Sequence, residues 1–280
     1  MTSGLRLAAI DLDGTLLRTD GTVSMRSRTA LMAAQAAGID VVLVTARSPR
    51  SVRVIAADLG LGGVALCANG ATVYDLDADV ILHHRPLPVD VAHRVVRGLR
   101  ERVPGIAFAW ELELRFGSEP EYETTRDGAR WPRPDDAYPP CDVLEWRDPM
   151  TKLLARVPEA ELLAVLAAAR ALCGTDAEVT LTGDTFVEVI AAGVGKEVAL
   201  AELAGERRVP REQVVAFGDQ LVDAAMLRWA GLGVAVANAT AFALEAADEV
   251  TASNDDDGVA VVLERLAAEA QPSSSASVGA

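Results

Sequence analysis

The stretch best equipped for chemistry lies near the start of the chain, where Ile10-Asp11-Leu12-Asp13-Gly14-Thr15 sets two carboxylates two residues apart behind an apolar run, Leu5 to Ile10. In extended chain, side chains two residues apart point to the same side, so the two charges would repel each other. A divalent cation, or a proton on one member, relieves that repulsion and gives two like groups different roles. Asp-x-Asp also opens a calcium loop. Here, however, the twelfth position is Thr22 instead of glutamate, and the glycine follows the second aspartate directly instead of standing sixth. A plain turn is the other reading of the segment. Of the 26 basic residues only Lys152 and Lys196 are lysines. In a chain whose default cation is arginine, each lysine is a candidate for a role, against the alternative of a solvated surface.

These residues need elements to position them. Leu5 to Ile10 reads as a strand, residues 28–37 as a helix stopped by Gly38, and residues 39–44 as a second strand, which makes a βαβ unit. Ligands in open α/β sheets bind at the carboxyl ends of strands, where Asp11 and Asp13 stand. An Asp-Gly signal at Asp20-Gly21 suggests a small hairpin flap beside them. A helix over 51–59, a strand over 64–67, a turn at Asn69-Gly70 and strands at 72–74 and 80–82 follow. Beyond His83 the texture changes to a helix (89–102), a strand (106–110) and a loop-like stretch (117–142) rich in proline, charge and aromatics. Regular structure resumes with a strand at 153–157, a helix at 159–172 and strands at 179–181 and 186–190. Strands at 214–217 and 233–237 then alternate with helices at 223–229, 241–247 and 259–270. The expected fold is α/β. A doubly wound, Rossmann-like parallel sheet is built from residues 1–82 and 186–270, interrupted by an α+β insertion over 83–185. Residues 271–280, rich in Ser, Ala and Gly, read as a disordered tail.

A net charge of −15 over 280 residues argues against nucleic acid or an anionic membrane as the main partner. An anionic substrate would need a locally positive site. Three cysteines, Cys67, Cys141 and Cys173, show no C-x-x-C spacing, which suggests neither a disulfide framework nor a zinc knuckle and fits a reducing cytoplasm. No apolar run reaches about 18 residues, so neither export nor membrane spanning is expected.

Asp11-Leu12-Asp13-Gly14-Thr15 resembles the D-x-D-G-T motif of the haloacid dehalogenase-like (HAD) superfamily. Three further segments resemble its other motifs in the required order: Val42-Leu43-Val44-Thr45, Gly195-Lys196, and Gly218-Asp219 with Asp223. Thr45-Ala46-Arg47, Ala68-Asn69-Gly70-Ala71, Ala237-Asn238-Ala239 and Asn254 to Val259 are similar to segments of one branch. That branch is the Cof-type phosphatases (type IIB, with a C2 cap between the second and third motifs). The motifs cover about 1–75 and 186–262.

The resemblance implies a magnesium-dependent phosphatase of small phosphorylated metabolites such as sugar phosphates, acting as a monomer or homodimer. Asp11 would attack phosphorus to give an aspartyl-phosphate, and Asp13 would protonate the leaving oxygen and then activate water. Mg²⁺ would be held by the Asp11 side chain, the Asp13 backbone carbonyl and Asp219, with Asp223 orienting that shell. Lys196 and Thr45 would bind phosphate oxygens, and Arg47 and Asn69 would face the substrate. Singly, these residues have plainer readings: Asp219 and Asp223 as helix caps, Thr45 as the cap of the helix at 51–59, and Lys196 as a partner of Glu197 or Glu202. Val222 stands where the family usually has asparagine, Glu197 and Ala46 where it often has glycine. A phosphomutase, or a phosphate-binding regulatory protein, is the alternative function. In the insertion, Phe108 and Trp110 are expected to pack its core. Trp131, Tyr138 and Trp146 are candidates to line a cleft, Lys152 is a candidate leaving-group contact, and His83, His84 and His93 lie outside every motif.

Overall fold

Several segments of the sequence are apolar throughout, with no alternation, as strands covered on both faces require. β1 (Leu7–Ile10), β3 (Val64–Cys67) and β11 (Val214–Gly218) are fully buried along their length, and β2 (Asp40–Val44) is buried after its first residue. With β4 (Thr72–Asp75), β5 (Val80–His84), β12 (Leu232–Ala235) and β13 (Glu249–Val250) they form one eight-stranded sheet in the order β13-β12-β11-β1-β2-β3-β4-β5. Pairing from β13 through β2 is parallel, and β4 and β5 close one edge antiparallel. The computed structural model describes residues 4–125, 133–157, 161–182 and 186–270. Trp131 and the expected tail at 271–280 lie outside them.

The helices are α1 (Met25–Ala36), α2 (Pro49–Leu59), α3 (Val89–Arg100), α4 (Pro120–Thr125), α5 (Leu162–Cys173), α6 (Lys196–Glu206), α7 (Ala224–Trp229), α8 (Ala241–Ala246) and α9 (Gly258–Ala270). Ser24 caps α1, its side chain accepting the Ser27 N–H. Among the described residues no helix is long and apolar enough to cross a membrane.

A second sheet, in the order β7-β6-β8-β10-β9, joins β6 (Ala107–Leu112), β7 (Arg115–Ser118), β8 (Lys152–Arg156), β9 (Ala177–Thr182) and β10 (Phe186–Ala191), with antiparallel pairing throughout. Two expectations need correction here. Residues 186–190 belong to this sheet and not to the parallel one: Val187 and Val189 enter the same apolar core as Phe108 and Trp110, while Glu188 between them meets Lys152 of β8. Period-two alternation of this kind suits a sheet with two unlike faces. The stretch expected to be loop-like from 117 contains the end of β7 and then α4. Gly117 read as a loop signal, but it lacks a side chain because a Cβ there would lie 2.3 Å from the Trp110 indole. Phe108 and Trp110 are fully buried, as expected. Trp146 packs on that core, its ring 5.3 Å from Trp110 and 4.7 Å from Tyr138, instead of being held out toward a cleft.

By contacts the chain divides into two units, residues 1–45, 56–65 and 196–280, and residues 46–55 with 66–195. These breaks fall elsewhere than the expected 82/83 and 185/186. Residues 18–22 form a turn closed by the Gly21 N–H on the Arg18 carbonyl, with Asp20 accepting the Thr22 N–H; the expected hairpin flap is this turn.

Candidate active site

β1 and β11 are parallel neighbours with Ile10 level with Phe217, so the residues after them, Asp11 and Asp219, emerge at adjacent carboxyl ends. The Asp11 N–H extends the pairing by one bond, 3.1 Å to the Phe217 carbonyl. From β1 the sheet order runs to β2 on one side and to β11 on the other, the switch at which open α/β sheets bind ligands.

Two glycines let the loops after these strands close on each other. Gly14 has φ +77°, and a Cβ on it would lie 2.5 Å from Asp219 Oδ2. On Gly218 a Cβ would lie 2.4 Å from the Asp223 Cβ. Asp219 is gripped on both oxygens: Thr15 Oγ1 donates to Oδ1 (3.0 Å) and Gln220 Nε2 to Oδ2 (2.8 Å). Neither donor was assigned from the sequence. Thr15 lies inside the quoted motif, but Gln220 carried no signal. Asn238 Nδ2 donates to the Gly14 carbonyl (2.8 Å) and its Oδ1 accepts the Asn254 N–H (2.9 Å). Asn254 Nδ2 in turn reaches the Leu17 carbonyl (2.9 Å). The two asparagine segments near the chain's end therefore fasten the 14–17 loop.

Lys196 opens α6 and donates from Nζ to Asp11 Oδ1 (2.7 Å) and Asp223 Oδ1 (2.6 Å). The other oxygen of Asp223 accepts the N–H groups of Asp219 (3.1 Å) and Gln220 (2.9 Å). Asp223 thus both caps its turn and pairs with Lys196. Asp11, Asp219 and Asp223 are all buried and offer oxygens within 4.8 Å of one another.

Three carboxylates around one ammonium leave negative charge uncompensated. Burial holds the Asp11 carboxyl well above the usual range; the pull of Lys196 opposes it, and repulsion from Asp223 and Asp219 adds to it. Asp219 is raised for the same first reason, burial, and then by Asp223. For Lys196 burial works against the charge, but attraction to Asp11 and Asp223 outweighs it and the amine is held charged. A hard divalent cation fits this donor set, since it takes oxygen ligands and removes the repulsion.

Asp13, in contrast, is exposed and outside this cluster: β1 ends at Ile10 and the chain turns, so the alternation expected of an extended segment does not carry past it. Thr45 is fully buried directly after β2; α2 begins at Pro49, so Thr45 is not its cap. Val222 is half-buried in the short turn 221–223.

Arg47, Asn69 and Lys152 belong to the second unit. Arg47 is half-buried and its carbonyl accepts the Ala68 N–H (2.8 Å). Asn69 is buried at φ +56°, a region asparagine tolerates, and its Nδ2 donates to Glu188 (3.3 Å). Lys152 corrects the expectation of a leaving-group contact. Its Nζ is committed to Glu188 Oε1 (2.9 Å) and the Ala46 carbonyl (2.9 Å). Burial opposes its charge, but Glu188 and Glu111 prevail and its pKa is pushed up to about 12. His84 and His93 are tied within this unit, to Thr151 and to the Val143 carbonyl.

A family model described as haloacid dehalogenase-like hydrolase matches residues 8–263. The chain is 30% identical over 259 residues to the 5-amino-6-(5-phospho-D-ribitylamino)uracil phosphatase of Bacillus subtilis (strain 168), covering 92% of this chain and 94% of the relative. It is 28% identical over 274 residues to the pyridoxal phosphate phosphatase of Escherichia coli (strain K12), covering 91% and 96%. A solved haloacid dehalogenase-like hydrolase from B. subtilis matches with a TM-score of 0.79 at 27% identity, covering 93% of this chain and 99% of that one.

Proposed function

We propose that this chain, which belongs to the haloacid dehalogenase-like hydrolases and is an enzyme of their phosphatase class, hydrolyses small phosphorylated metabolites, sugar phosphates among them, through a phosphoryl group carried on Asp11. The observation that carries the reading is the buried Lys196 ammonium bridging Asp11 and Asp223 beside Asp219. With Oδ1 held by Lys196, the other oxygen of Asp11 attacks phosphorus and the bond to the leaving oxygen breaks. Asp13, which is exposed, gives the leaving oxygen its proton. It then takes a proton from the water that cleaves the aspartyl-phosphate, and the site is restored with inorganic phosphate released.

Asp11, Asp219, Asp223 and the carbonyl of Asp13 are the groups that would hold Mg²⁺. When bound, the ion supplies charge neutralisation that lets an anionic nucleophile meet a phosphate dianion. Thr45 and Lys196 bind phosphate oxygens. The insertion that carries the five-stranded antiparallel sheet serves as the cap that selects the substrate. Free thiols at Cys67, Cys141 and Cys173 favour a cytoplasmic setting. The test is phosphate release from a panel of phosphorylated metabolites with Mg²⁺ and with EDTA. Magnesium-dependent release supports the reading. Isomerised product without free phosphate favours a mutase, and inactivity on the whole panel removes the reading.

A further inference from the structure

Asn238, Asn254, Asp255 and Asp257 take no part in the chemistry above, yet their side chains all bond to one short segment of the same unit, the one that follows Asp13. Asn238 Nδ2 reaches the Gly14 carbonyl (2.8 Å), and Asn254 Nδ2 the Leu17 carbonyl (2.9 Å). Asp257 Oδ1 accepts from Arg18 Nη2 (2.8 Å), and Asp255 accepts the Thr19 N–H (2.9 Å) and hydroxyl (2.8 Å). Leu17, Arg18 and Thr19 are thus each gripped by a different member of the loop 254–257. That loop is braced in its own right. Ser253 Oγ donates to Asp256 Oδ2 (2.7 Å), the Gly258 N–H meets the Ser253 carbonyl (2.9 Å), and Thr251 Oγ1 donates to the Gly258 carbonyl (2.9 Å).

Within the gripped segment, the N–H groups of Thr15, Leu16 and Leu17 are answered locally by the carbonyls of Asp11 and Leu12. The carbonyls of Gly14 and Leu17 find their side-chain donors in the two asparagines instead. Leu17 and Asn254 are 3% and 6% exposed, so their bond is shielded from water and costly to leave unmade. Leu17 is joined in turn to Asp13 by a single β-bridge. A route of direct contacts therefore runs from the 254–257 loop through Leu17 to Asp13, whose own side chain is exposed.

We propose that Asn254 and Asn238 are positioning residues for Asp13: by fixing the carbonyls at both ends of the 14–17 turn, they hold the Asp13 carboxyl where it passes a proton to the leaving oxygen and takes one back from water. The proposal rests on the phosphatase reading, with Asp13 as its acid and base. A misplacement of about 1 Å can cost about a hundredfold in rate. Asp11, Lys196 and Asp223 hold one another by bonds that do not pass through the turn, so loosening it strikes the proton transfers first.

The test compares esters that differ in how far departure needs a proton. Nitrophenolate leaves p-nitrophenyl phosphate without one, whereas phenyl phosphate releases a phenol about as basic as tyrosine's (pKa about 10) and glucose 6-phosphate an alkoxide more basic still. Asn238→Ala, Asn254→Ala and Asp13→Asn are assayed in the full chain with saturating Mg²⁺ beside the unaltered enzyme, with thermal melting to register stability. Both asparagine variants are expected to follow Asp13→Asn, losing about tenfold or more in kcat/KM on phenyl phosphate and glucose 6-phosphate but staying within about threefold on p-nitrophenyl phosphate. Acid quench during p-nitrophenyl phosphate turnover should also trap more phosphorylated enzyme than the unaltered chain gives, because the water that cleaves it is no longer activated. Equal losses on all three esters, tracking the melting temperature, mark a merely structural clasp and overturn the proposal, as does no loss at all. Asn238 is exposed, so its truncation decides the matter if the variant at buried Asn254 does not fold. An Asp13→Asn enzyme without leaving-group dependence overturns the proposal together with the role of Asp13, while phosphate release by the unaltered enzyme leaves the phosphatase reading standing. Inactivity of the unaltered enzyme on all three esters removes both.

Discussion

Lys196 is shared between Asp11 and Asp223 at 2.7 and 2.6 Å, and its removal exposes how much those carboxylates depend on it. Lys196→Met leaves two buried acids without a cation, a loss of about 3–5 kcal/mol by analogy with other broken buried pairs. A lowered urea midpoint at pH 8 checks it. The deficit should shrink toward pH 5, because Asp11 holds its proton above the usual range and is easier to bury neutral; a deficit that grows there contradicts the account. The same raised carboxyls govern cation binding. A proton on Asp11 or Asp219 must leave before a divalent ion can take its place, so apparent Mg²⁺ affinity rises with pH through the raised range, with protons released. Calorimetry in buffers of different ionisation heat reads this directly, and an affinity flat from pH 5 to 8 contradicts it. At this scale the grouping of Asp11, Lys196, Asp219 and Asp223 was legible because their spacing and order are distinctive. Gln220, which grips Asp219, was not, because a glutamine in a loop gives no signal until the loop is folded.

The loops that carry these groups depend on backbone conformations that few residues adopt. At Gly14 the left-handed φ and the 2.5 Å approach to Asp219 both exclude a side chain. Gly14→Ala should push Asp219 away from Asp11 and weaken Mg²⁺ binding by about tenfold, the equivalent of about 1.4 kcal/mol. Titration of the purified variant checks it, and unchanged affinity argues that the Asp219 loop does not close on Gly14. The strands beneath were readable: β1, β2, β3 and β11 are unbroken apolar runs, and such runs have few other ways to be buried. β10 and β7 were misplaced for opposite reasons. Phe186 to Ile190 is apolar enough to resemble a core strand unless Glu188 is matched with Lys152, thirty-odd residues earlier. Arg115–Ser118 is too short and too glycine-marked to show itself without the Trp110 ring against it.

For the whole molecule, the net charge of −15 sets a field that opposes the approach of a phosphate ester. Screening that field should help capture, so kcat/KM with saturating Mg²⁺ rises as potassium chloride is raised from about 10 to about 100 mM, where the Debye length falls to about 10 Å. A steep fall over that interval contradicts a repulsive surface. The α/β class was legible from the alternation of apolar runs and helices. The division of the chain was less so, because breaks at 45/46, 55/56, 65/66 and 195/196 follow contacts made across long separations and leave no mark in local composition. All of this serves one claim, that Asp11 carries the phosphoryl group, and rapid acid quench during turnover of a phosphate ester with Mg²⁺, followed by peptide mass analysis, tests it most directly. The account predicts a phosphoryl group on the peptide containing Asp11, absent from a folded Asp11→Asn variant that releases no phosphate; continued phosphate release by that variant would contradict it.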